Sequence, residues 1–441
     1  MTNPIPAVWA YVTGARWFAG KGRGAEPGTV RRLTWCTLTD DLAVRLELVG
    51  AHYPDGTEEL YLVPLSYRRQ PLDAQQAPGA FFGTLGDDEA AALLPADRRS
   101  LVHLHDALRD PGALRALVDM LATGRRTEDW SATVVRPVDL TGEARAFGGE
   151  QSNTSVLVGT TAITKFFRRL EPGANLDISV HDALNRAGVG SVATLHGWLE
   201  ARVERVHYDL AMVLEQLPQA RDGWLIATGA ARTGADFTGD AAALGAALAS
   251  IHLALCDTFP VTQLRAADIS ATMRRRLAGA AAEVPALAEL APALDDRFAA
   301  LADEQVPGQR IHGDFHLGQT LLTAAGWSII DFEGEPIKSL AERQLPDSRW
   351  RDAAGMLRSL AYATSACDDP ASSRARDWLT SAGDAFLDAY NAGFGGRFGE
   401  RDRALLDAYV ADKAIYEVVY ESRNRPDWIE IPLSALRALV G

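Results

Sequence analysis

The sequence is poor in cysteine: its 441 residues include three, Cys36, Cys256 and Cys367. An odd number of widely separated thiols excludes a fully paired disulfide framework, and the absence of a CxxC pair excludes the common structural zinc sites. Unpaired thiols of this kind are typical of a reducing compartment. We therefore expect a cytoplasmic protein.

Positive charge is also scarce. Lys and Arg number 44 against 58 Asp and Glu, which gives a formal net charge of −14 at pH 7. A nucleic-acid-binding surface needs an excess of cationic side chains to neutralise phosphates. We therefore expect no nucleic-acid partner, and for assembly we expect a monomer or a weak homodimer.

Long hydrophobic runs are missing as well. No stretch reaches the roughly 18 uninterrupted apolar residues of a membrane-spanning helix, and the N-terminal segment has no basic region followed by a long apolar one. The most apolar segment, residues 241–256, still contains Ser250 and His252. We expect a core helix there and no membrane span.

The sequence does contain enough apolar material for large cores, with 47% hydrophobic and 23% charged residues. Alternating patterns predict strands in the first half, whereas stripes with helical spacing predominate later. We therefore predict an α+β fold with a β-rich cap (1–90), an intermediate lobe (91–217) and a helical lobe (218–441). A β-rich lobe joined to a helical one favours a cleft between them. Within the intermediate lobe, residues 98–123 have the spacing of a helix.

The most informative part of the sequence contains two carboxylates and an amide. Asp314 lies in a predicted loop, Gln319 follows five residues later, and Asp331 ends an apolar strand twelve residues after that. Phosphoryl transfer needs these groups: one carboxylate accepts the proton of the attacking hydroxyl, while an amide oxygen and a second carboxylate hold Mg²⁺ against the phosphates of ATP. Each Asp alone would be an ordinary turn or capping residue, but their spacing favours a kinase site.

A glycine-containing loop provides the second signal. Residues 148–155, between two predicted strands, offer backbone N–H groups and hydroxyls that can cover phosphates. Most Gly-Gly turns between strands are only turns, so this signal alone is weak. Lys165, among apolar residues one strand further on, strengthens it, because a lysine there can contact the α- and β-phosphates. The alternative is an edge-strand lysine that points to solvent.

Near the C-terminus, Tyr416 and Glu417 each recur four residues later, as Tyr420 and Glu421. Glutamates at this spacing repel each other on a helix. A sugar site would explain them, because carboxylates accept hydrogen bonds from hydroxyls and aromatic rings pack on sugar faces. The alternative is neutralisation by two cations of the same row, Lys413 and Arg425.

Several segments resemble a known family. Residues 312–319 (HGDFHLGQ) and 329–336 (IIDFEGEP) resemble the signature of the aminoglycoside phosphotransferase-like kinases. Residues 329–343 followed by 350–359 (WRDAAGMLRS) resemble the maltokinase branch of that superfamily. The similarity extends to residues 16–22, 150–155 and 416–421, and so covers essentially the whole chain.

The resemblance implies a bilobal protein-kinase-like fold with an N-terminal cap. It makes Asp314 the catalytic base and Gln319 and Asp331 the Mg²⁺ ligands, although the superfamily usually has Asn at the Gln319 position. The residues that we assign to ATP are Gly148, Gly149, Gln151, Ser152, Asn153, Lys165, Asp182, Glu215 and Leu217. The residues that we assign to the acceptor are Asp314, His316, Glu417, Tyr420, Glu421, Arg423 and Trp428.

Some of these assignments have alternatives. The carboxylate partner of Lys165 is Asp177 or Asp182, and we choose Asp182 because it lies on the helix proper. Residues 215–217 resemble a hinge that pairs with adenine, but a strand followed by a linker would look the same. Trp428 is either an aromatic platform or a core anchor.

Three further residues have expected supporting roles. His312 is expected to brace the catalytic loop, and His252 to be a satisfied core residue. Asp352 either caps the helix that follows it, which we favour, or supports the catalytic loop.

We therefore predict an ATP-dependent sugar kinase that uses ATP and Mg²⁺ and takes a small sugar as acceptor. Members that resemble this chain make maltose 1-phosphate or phosphorylate glucosamine at its 6-hydroxyl. Acids at Asp427 and Glu430 favour the cationic aminosugar, so glucosamine is our prediction and maltose the alternative. An aminoglycoside acceptor, or a module that binds nucleotide without turnover, is less favoured.

Overall fold

The computed structural model describes residues 4–75, 77–147, 153–301, 305–335, 338–396 and 398–440. The chain divides into two compact units. The first unit contains Met1–Ser179 and Ala193–Pro218, and the second contains Val180–Val192 and Gln219–Gly441. The division into cap, intermediate lobe and helical lobe remains a prediction. In the structure, the residues predicted for the first two belong to one unit, except Val180–Val192, which belong to the second.

The first unit is mainly β-structure. Its helices are α1 (Pro6–Gly14), α2 (Asp87–Leu93), α3 (Pro111–Ala122) and the first turn of α4 (Leu176–Arg186). Its strands are β1 (Glu26–Arg32), β2 (Thr37–Leu38), β3 (Leu42–His52), β4 (Glu58–Arg68), β5 (Phe81–Thr84), β6 (His103–Asp106), β7 (Trp130–Val134), β8 (Ala144–Ala146), β9 (Asn153–Val158), β10 (Ala162–Phe167), β11 (Arg169–Leu170), β12 (Leu195–Val203) and β13 (Val206–Glu215).

These strands form two antiparallel sheets. The first sheet has the order β1-β3-β4-β6-β5, with β2 beside β3 and β11 beside β4, and the second has the order β7-β12-β13-β10-β9-β8. Strand β3 is buried on both faces: Val44, Leu46 and Leu48 join one hydrophobic core, whereas Ala43 and Val49 join another. Side chains alternate between faces along a strand, so β3 separates the two cores.

The first of these cores also contains the second sheet. Leu46 shares it with Leu117 of α3, Phe166 of β10 and Leu199 of β12. In addition, Leu170 of β11 pairs with Leu60 of β4, which adds a strand from the later part of the unit to the first sheet. The first and second sheets of this unit therefore pack on the same core of apolar side chains.

The predicted helix over residues 98–123 is wrong in its first half. Residues 103–106 form β6, which pairs with β4 and β5, and the helix begins only at Pro111. The Asp110 side chain accepts hydrogen bonds from the N–H groups of Gly112 and Ala113 at 3.0 and 3.2 Å. An N-cap Asp followed by Pro at the first helical position is a strong start signal, and here it outweighs apolar spacing.

The second unit is mainly helical, as predicted. Its helices, after the remainder of α4, are α5 (Gly223–Thr233), α6 (Thr238–Thr258), α7 (Ala266–Glu283), α8 (Pro285–Ala288), α9 (Ala291–Ala299), α10 (Leu340–Arg343), α11 (Trp350–Ala363), α12 (Ser373–Gly393), α13 (Glu400–Asn424) and α14 (Glu430–Val440). Its strands are β14 (Arg221–Asp222), β15 (Thr262–Arg265), β16 (Gln305–Gly308), β17 (Thr320–Thr323) and β18 (Gly326–Ile329), paired as β14-β17-β18 and β15-β16.

Helix α6 is long and apolar enough, by length and composition, to cross a membrane, with a mean hydropathy of 1.5 over its most apolar window. Half of that window is buried inside the protein. Leu244, Leu248 and Ile251 belong to the core of the second unit, and Gly245 lets the backbone of α12 approach closely at Phe386. The helix therefore has the packing of the predicted core helix.

Candidate active site

The loop that carries Asp314 is held by one buried carboxylate. Asp352 of α11 accepts hydrogen bonds from the backbone N–H groups of His312 and Gly313, at 2.7 and 2.9 Å. It also accepts one from Nε2 of His252 on α6, at 3.0 Å, and both of those side chains are fully buried. The favoured prediction that Asp352 caps α11 is wrong, because its carboxylate oxygens face the loop and α11 has no side-chain cap.

His312 braces the loop from the other side, as predicted. Its Nε2 lies 2.9 Å from the backbone oxygen of Ile330, and its Nδ1 lies 3.3 Å from the backbone nitrogen of Asp314. Nε2 can donate to the carbonyl while Nδ1 accepts, which corresponds to one neutral tautomer. His312 thus connects the loop to the end of β18. The expectation for His252 is also confirmed, because it bonds to both Asp352 and Tyr390.

Gln319 and Asp331 lie together at the open end of the hairpin that β17 and β18 form. The Gln319 side-chain nitrogen is 3.1 Å from Asp331 Oδ2, and the backbone N–H of Ile330 donates to Gln319 O at 3.0 Å. Asp331 has a φ of 68°, a left-handed conformation that is uncommon for Asp and typical of functional turns. Amide and carboxylate oxygens are hard donors of the kind that suits Mg²⁺. In this structure the amide nitrogen of Gln319 faces Asp331, so its oxygen would have to turn toward a bound ion.

Asp314 itself is partly exposed and stands beside a lysine and a histidine. Its Oδ1 is 3.6 Å from Lys413 Nζ, and its Oδ2 is 3.9 Å from His316 Nε2. Sequence reasoning treated Lys413 only as a counter-ion for the glutamates of its own helix. No local pattern could connect Lys413 to a loop about a hundred residues earlier, so its place beside Asp314 was missed.

One side of Asp314 faces a cavity of about 510 Å³, which we call the aromatic cavity. Tyr416 and Tyr420 stack with ring centroids 6.4 Å apart, and Tyr362 and Trp428 stack at 6.3 Å. Rings presented in this way can pack on the apolar faces of a sugar. The cavity lining includes Trp224, Asp314, His316, Arg358, Tyr362, Lys413, Tyr416, Glu417, Tyr420, Glu421, Arg425 and Trp428.

Both glutamates of the cavity have arginine partners. Glu417 accepts a hydrogen bond from Arg358 Nε of α11 at 2.9 Å, and Arg358 Nη2 lies 2.7 Å away in the same ion pair. Glu421 accepts two hydrogen bonds from Arg425, at 2.7 and 2.9 Å. Burial raises the pKa of Glu417, and the Arg358 charge opposes that change. The predicted alternative of neutralising cations is therefore confirmed for Arg425, while Arg358 takes the place that we gave to Lys413.

Two predictions about the C-terminal segment have different outcomes. Trp428 lines the aromatic cavity, as expected of a platform. Arg423 instead donates from Nε and Nη2 to Glu283 of α7, both at 2.6 Å, and does not line the cavity in the described chain. The acid Glu430 pairs with Arg437 rather than entering the cavity. Neither Asp427 nor Glu430 is among the residues that line the cavity.

In the first unit, Lys165 forms an ion pair with Asp177. The distance from Nζ to Oδ2 is 3.0 Å, and the two side chains are 12% and 2% exposed. The prediction that Asp182 is the partner is wrong: Asp182 pairs with Arg186 at 2.9 Å. Five residues separate the two acids, which is a rotation of about 140° around a helix, so they face different directions.

The other residues that we predicted to bind the nucleotide lie at or next to the ends of strands, or outside the described part of the chain. Asn153 is buried at the start of β9, and Glu215 accepts a hydrogen bond from the Thr194 hydroxyl at 2.8 Å at the end of β13. Leu217 follows that strand. Four of the residues assigned to ATP lie outside the described part of the chain: Gly148, Gly149, Gln151 and Ser152. Their contact with ATP remains a prediction.

Comparison with known families gives two matches. A sequence model of the maltokinase N-terminal cap domain matches residues 11–110. A model described as the phosphotransferase enzyme family matches residues 143–406, which is more than half of the chain. The two matches together confirm the resemblance found in the motifs.

Individual proteins are similar as well. A glucosamine kinase from Streptacidiphilus jiangxiensis is 32% identical over 329 residues, which cover 68% of this chain and 74% of that protein. A glucosamine kinase from Mycolicibacterium smegmatis is 28% identical over 384 residues, which cover 80% of this chain and 94% of that protein.

The fold agrees with these matches. A solved structure of a glucosamine kinase in complex with glucosamine, ADP and inorganic phosphate superimposes with a TM-score of 0.71, 24% identity and full coverage of both chains. The predicted α+β, protein-kinase-like fold is therefore confirmed.

Replacing Asp352 should destabilise the protein strongly. Asp352→Ala removes the acceptor of two buried N–H groups and leaves His252 without its carboxylate, so we expect a loss of about 3–5 kcal/mol in the free energy of unfolding. The control Asp384→Asn, on the exposed face of α12, should change it by less than about 0.5 kcal/mol. Denaturant titrations measure both, and equal values would contradict the anchoring role.

The Asp352 carboxylate should also make the stability of the folded protein decrease in acid. Burial alone would raise the pKa of Asp352, but the hydrogen bond and charge of His252 outweigh it, so that pKa lies below its usual value. The ionised carboxylate therefore stabilises the folded state above about pH 4, and this contribution is lost as the pH falls through the lowered pKa. The stability difference between wild type and Asp352→Ala should shrink over that range.

Two acids of α4 provide a matched test of the Lys165 partner. Asp177→Ala should lower kcat/KM for ATP by about 10- to 100-fold, because the lysine loses the carboxylate that positions it. Asp182→Ala should change it by less than about twofold, since its ion pair is exposed. Steady-state kinetics at saturating acceptor measure both, and a larger effect at Asp182 would restore the original assignment.

Proposed function

The chain belongs to the phosphotransferase enzyme family, and we propose that it is an ATP-dependent sugar kinase that phosphorylates glucosamine at its 6-hydroxyl. The aromatic cavity that opens beside Asp314 is the main support for a sugar acceptor. The names of the two similar proteins from Streptacidiphilus and Mycolicibacterium support glucosamine as that sugar.

In the proposed reaction, the acceptor oxygen attacks the γ-phosphorus of ATP, its proton passes to the Asp314 carboxylate, and the bond to ADP breaks. Asp352 and His312 hold the backbone that carries Asp314, so the base is positioned before the substrate arrives. Lys413, 3.6 Å away, holds the carboxylate from the side of α13.

Three groups of residues are proposed for the nucleotide. Lys165, positioned by Asp177, would bind the α- and β-phosphates. Gln319 and Asp331 would hold Mg²⁺, which neutralises phosphate charge when it is bound. The loop predicted at residues 148–155 would cover the phosphates with backbone N–H groups.

The sugar would lie among the rings and carboxylates of the aromatic cavity. The formal charges of its lining balance, because three carboxylates face two arginines and Lys413. Selection of the aminosugar would therefore depend on directed hydrogen bonds rather than on net charge. A carboxylate has about four acceptor positions, so Glu417 and Glu421 can serve both their arginines and the hydroxyl or ammonium groups of the sugar.

Maltose is the second candidate acceptor. The match to the maltokinase cap domain favours it, and a cavity of about 510 Å³ lies in the range that holds ligands larger than one sugar ring.

The proposed location is the cytoplasm. The three cysteines are free thiols in the structure, which supports that expectation.

A panel of acceptors tests the substrate. ADP release should give the highest kcat/KM with glucosamine, compared with maltose, glucose and an aminoglycoside. In Asp314→Asn, kcat should fall by about 10²- to 10⁴-fold while the affinity for the sugar is kept, because the base is lost and the cavity is not. A preference for maltose would reverse our choice, and undiminished turnover by Asp314→Asn would eliminate the mechanism.

Substitution of the metal-binding pair tests the role of Mg²⁺. Asp331→Asn removes one anionic ligand, so half-maximal activity should require at least about tenfold more Mg²⁺. Gln263→Ala, an exposed change on β15, should leave the requirement unchanged. Mn²⁺ binding followed by electron paramagnetic resonance gives a readout independent of turnover. An unaltered metal requirement in Asp331→Asn would argue against this pair as ligands.

A further inference from the structure

Besides the aromatic cavity of the second unit, the first unit contains a cavity of about 1050 Å³. Its lining comes from the end of α1 and the residues after it, residues 77–79, residues between 106 and 115 at the start of α3, residues 141–147, the start of β9 and Arg168. We call it the arginine cavity.

The lining of the arginine cavity is strongly cationic. Two carboxylates, Asp106 and Glu143, face five arginines: Arg16, Arg109, Arg115, Arg145 and Arg168. This local excess of positive charge occurs in a chain whose net charge is −14. Charge of one sign gathered in a concave site raises the local concentration of ligands of the opposite sign.

The floor of the cavity is a fixed ionic network. Arg168, with a side chain that is 1% exposed, donates to Asp106 Oδ2 at 3.1 Å and to the Thr154 hydroxyl at 2.8 Å. Tyr11 donates its hydroxyl to the same Asp106 oxygen at 2.6 Å, and the Arg168 guanidinium lies 5.0 Å from the centre of the Trp17 ring. The negative charge of Asp106 is therefore compensated by Arg168 within the floor of the cavity.

The arginines nearer the opening are less well neutralised. Arg109 is 3.7 Å from Asp106 and donates to the backbone oxygen of Pro78 at 3.3 Å. Arg16 is exposed and makes no ion pair or hydrogen bond with another described residue. Guanidinium groups that are already positioned around a cavity can bind phosphate oxygens in pairs of hydrogen bonds.

Where Thr154 lines it, the cavity lies on the opposite face of the second sheet from Lys165. Thr154 lines the cavity, whereas the next residue, Ser155, is the cross-strand partner of Lys165. Successive side chains of a strand point to opposite faces, so Thr154 and Lys165 are on different sides of the sheet. A ligand here would not occupy the place of the ATP phosphates that Lys165 is proposed to bind.

We propose that the arginine cavity binds a phosphorylated small molecule, with Arg16 and Arg109 as the principal phosphate ligands. The phosphoryl group is the recognised chemistry, and it can come from free phosphate, pyrophosphate or a sugar phosphate. The binding does not depend on glucosamine being the acceptor.

Calorimetry on the full-length protein tests this proposal. The enzyme is first saturated with ADP, and then inorganic phosphate, pyrophosphate and glucose 6-phosphate are titrated separately. At least one should bind with one equivalent, and the ligand with the lowest Kd identifies the source of the phosphoryl group. Binding should weaken as salt is added, because exposed charges are screened. No binding by any of the three would overturn the proposal.

Substitutions locate the binding. Arg16→Ala and the double variant Arg16→Ala/Arg109→Ala should raise Kd, the latter by about tenfold or more, since charge-assisted hydrogen bonds are lost. Arg99→Ala, an exposed arginine of the same unit outside the cavity, should keep the wild-type Kd. Both variants change exposed side chains, so their melting temperatures should match that of wild type. An unchanged Kd in both would place the phosphate elsewhere, in the active site for example, and would also overturn the proposal.

Discussion

The candidate active site depends on the buried carboxylate of Asp352. It joins the catalytic loop to α11 directly and to α6 and α12 through His252 and Tyr390. A buried charge is tolerated only where hydrogen bonds replace its lost hydration. Because those bonds come from the loop backbone, the loop cannot shift without leaving the charge unsatisfied. The position of Asp314 is thus determined by electrostatics in the core of the second unit.

In each unit, other charges with a proposed role are arranged in compensated pairs. Lys165 with Asp177, Glu417 with Arg358, and Glu421 with Arg425 each combine a largely buried member with an opposite charge. Such pairs contribute little net stability, but removal of one partner is costly. Their effect is to hold long side chains in one orientation. A transferase benefits from this arrangement, because phosphoryl transfer depends on positioning and charge stabilisation more than on covalent chemistry.

The sequence predicted those features that depend on neighbouring residues. Alternation located β3 and β4, and the spacing of Asp314, Gln319 and Asp331 predicted their grouping because one hairpin connects them. Contacts between distant segments were not predicted, as Lys413 beside Asp314 shows. The choice of Asp182 failed because direction around a helix decides which acid meets a strand. Asp352 was misassigned because a capping pattern is local, whereas its actual partners lie about 40 and 100 residues away.

The shared core of the first unit limits how this protein can be shortened. The family matches divide the chain into a cap and a phosphotransferase part, which suggests two exchangeable modules. Arg168 lies in the second of these and its carboxylate, Asp106, in the first. A chain cut at this boundary would bury a guanidinium without its counter-ion and expose the apolar side of the second sheet. The phosphotransferase part of this protein is therefore not a minimal enzyme, and gain or loss of the cap in evolution would require simultaneous redesign of that surface.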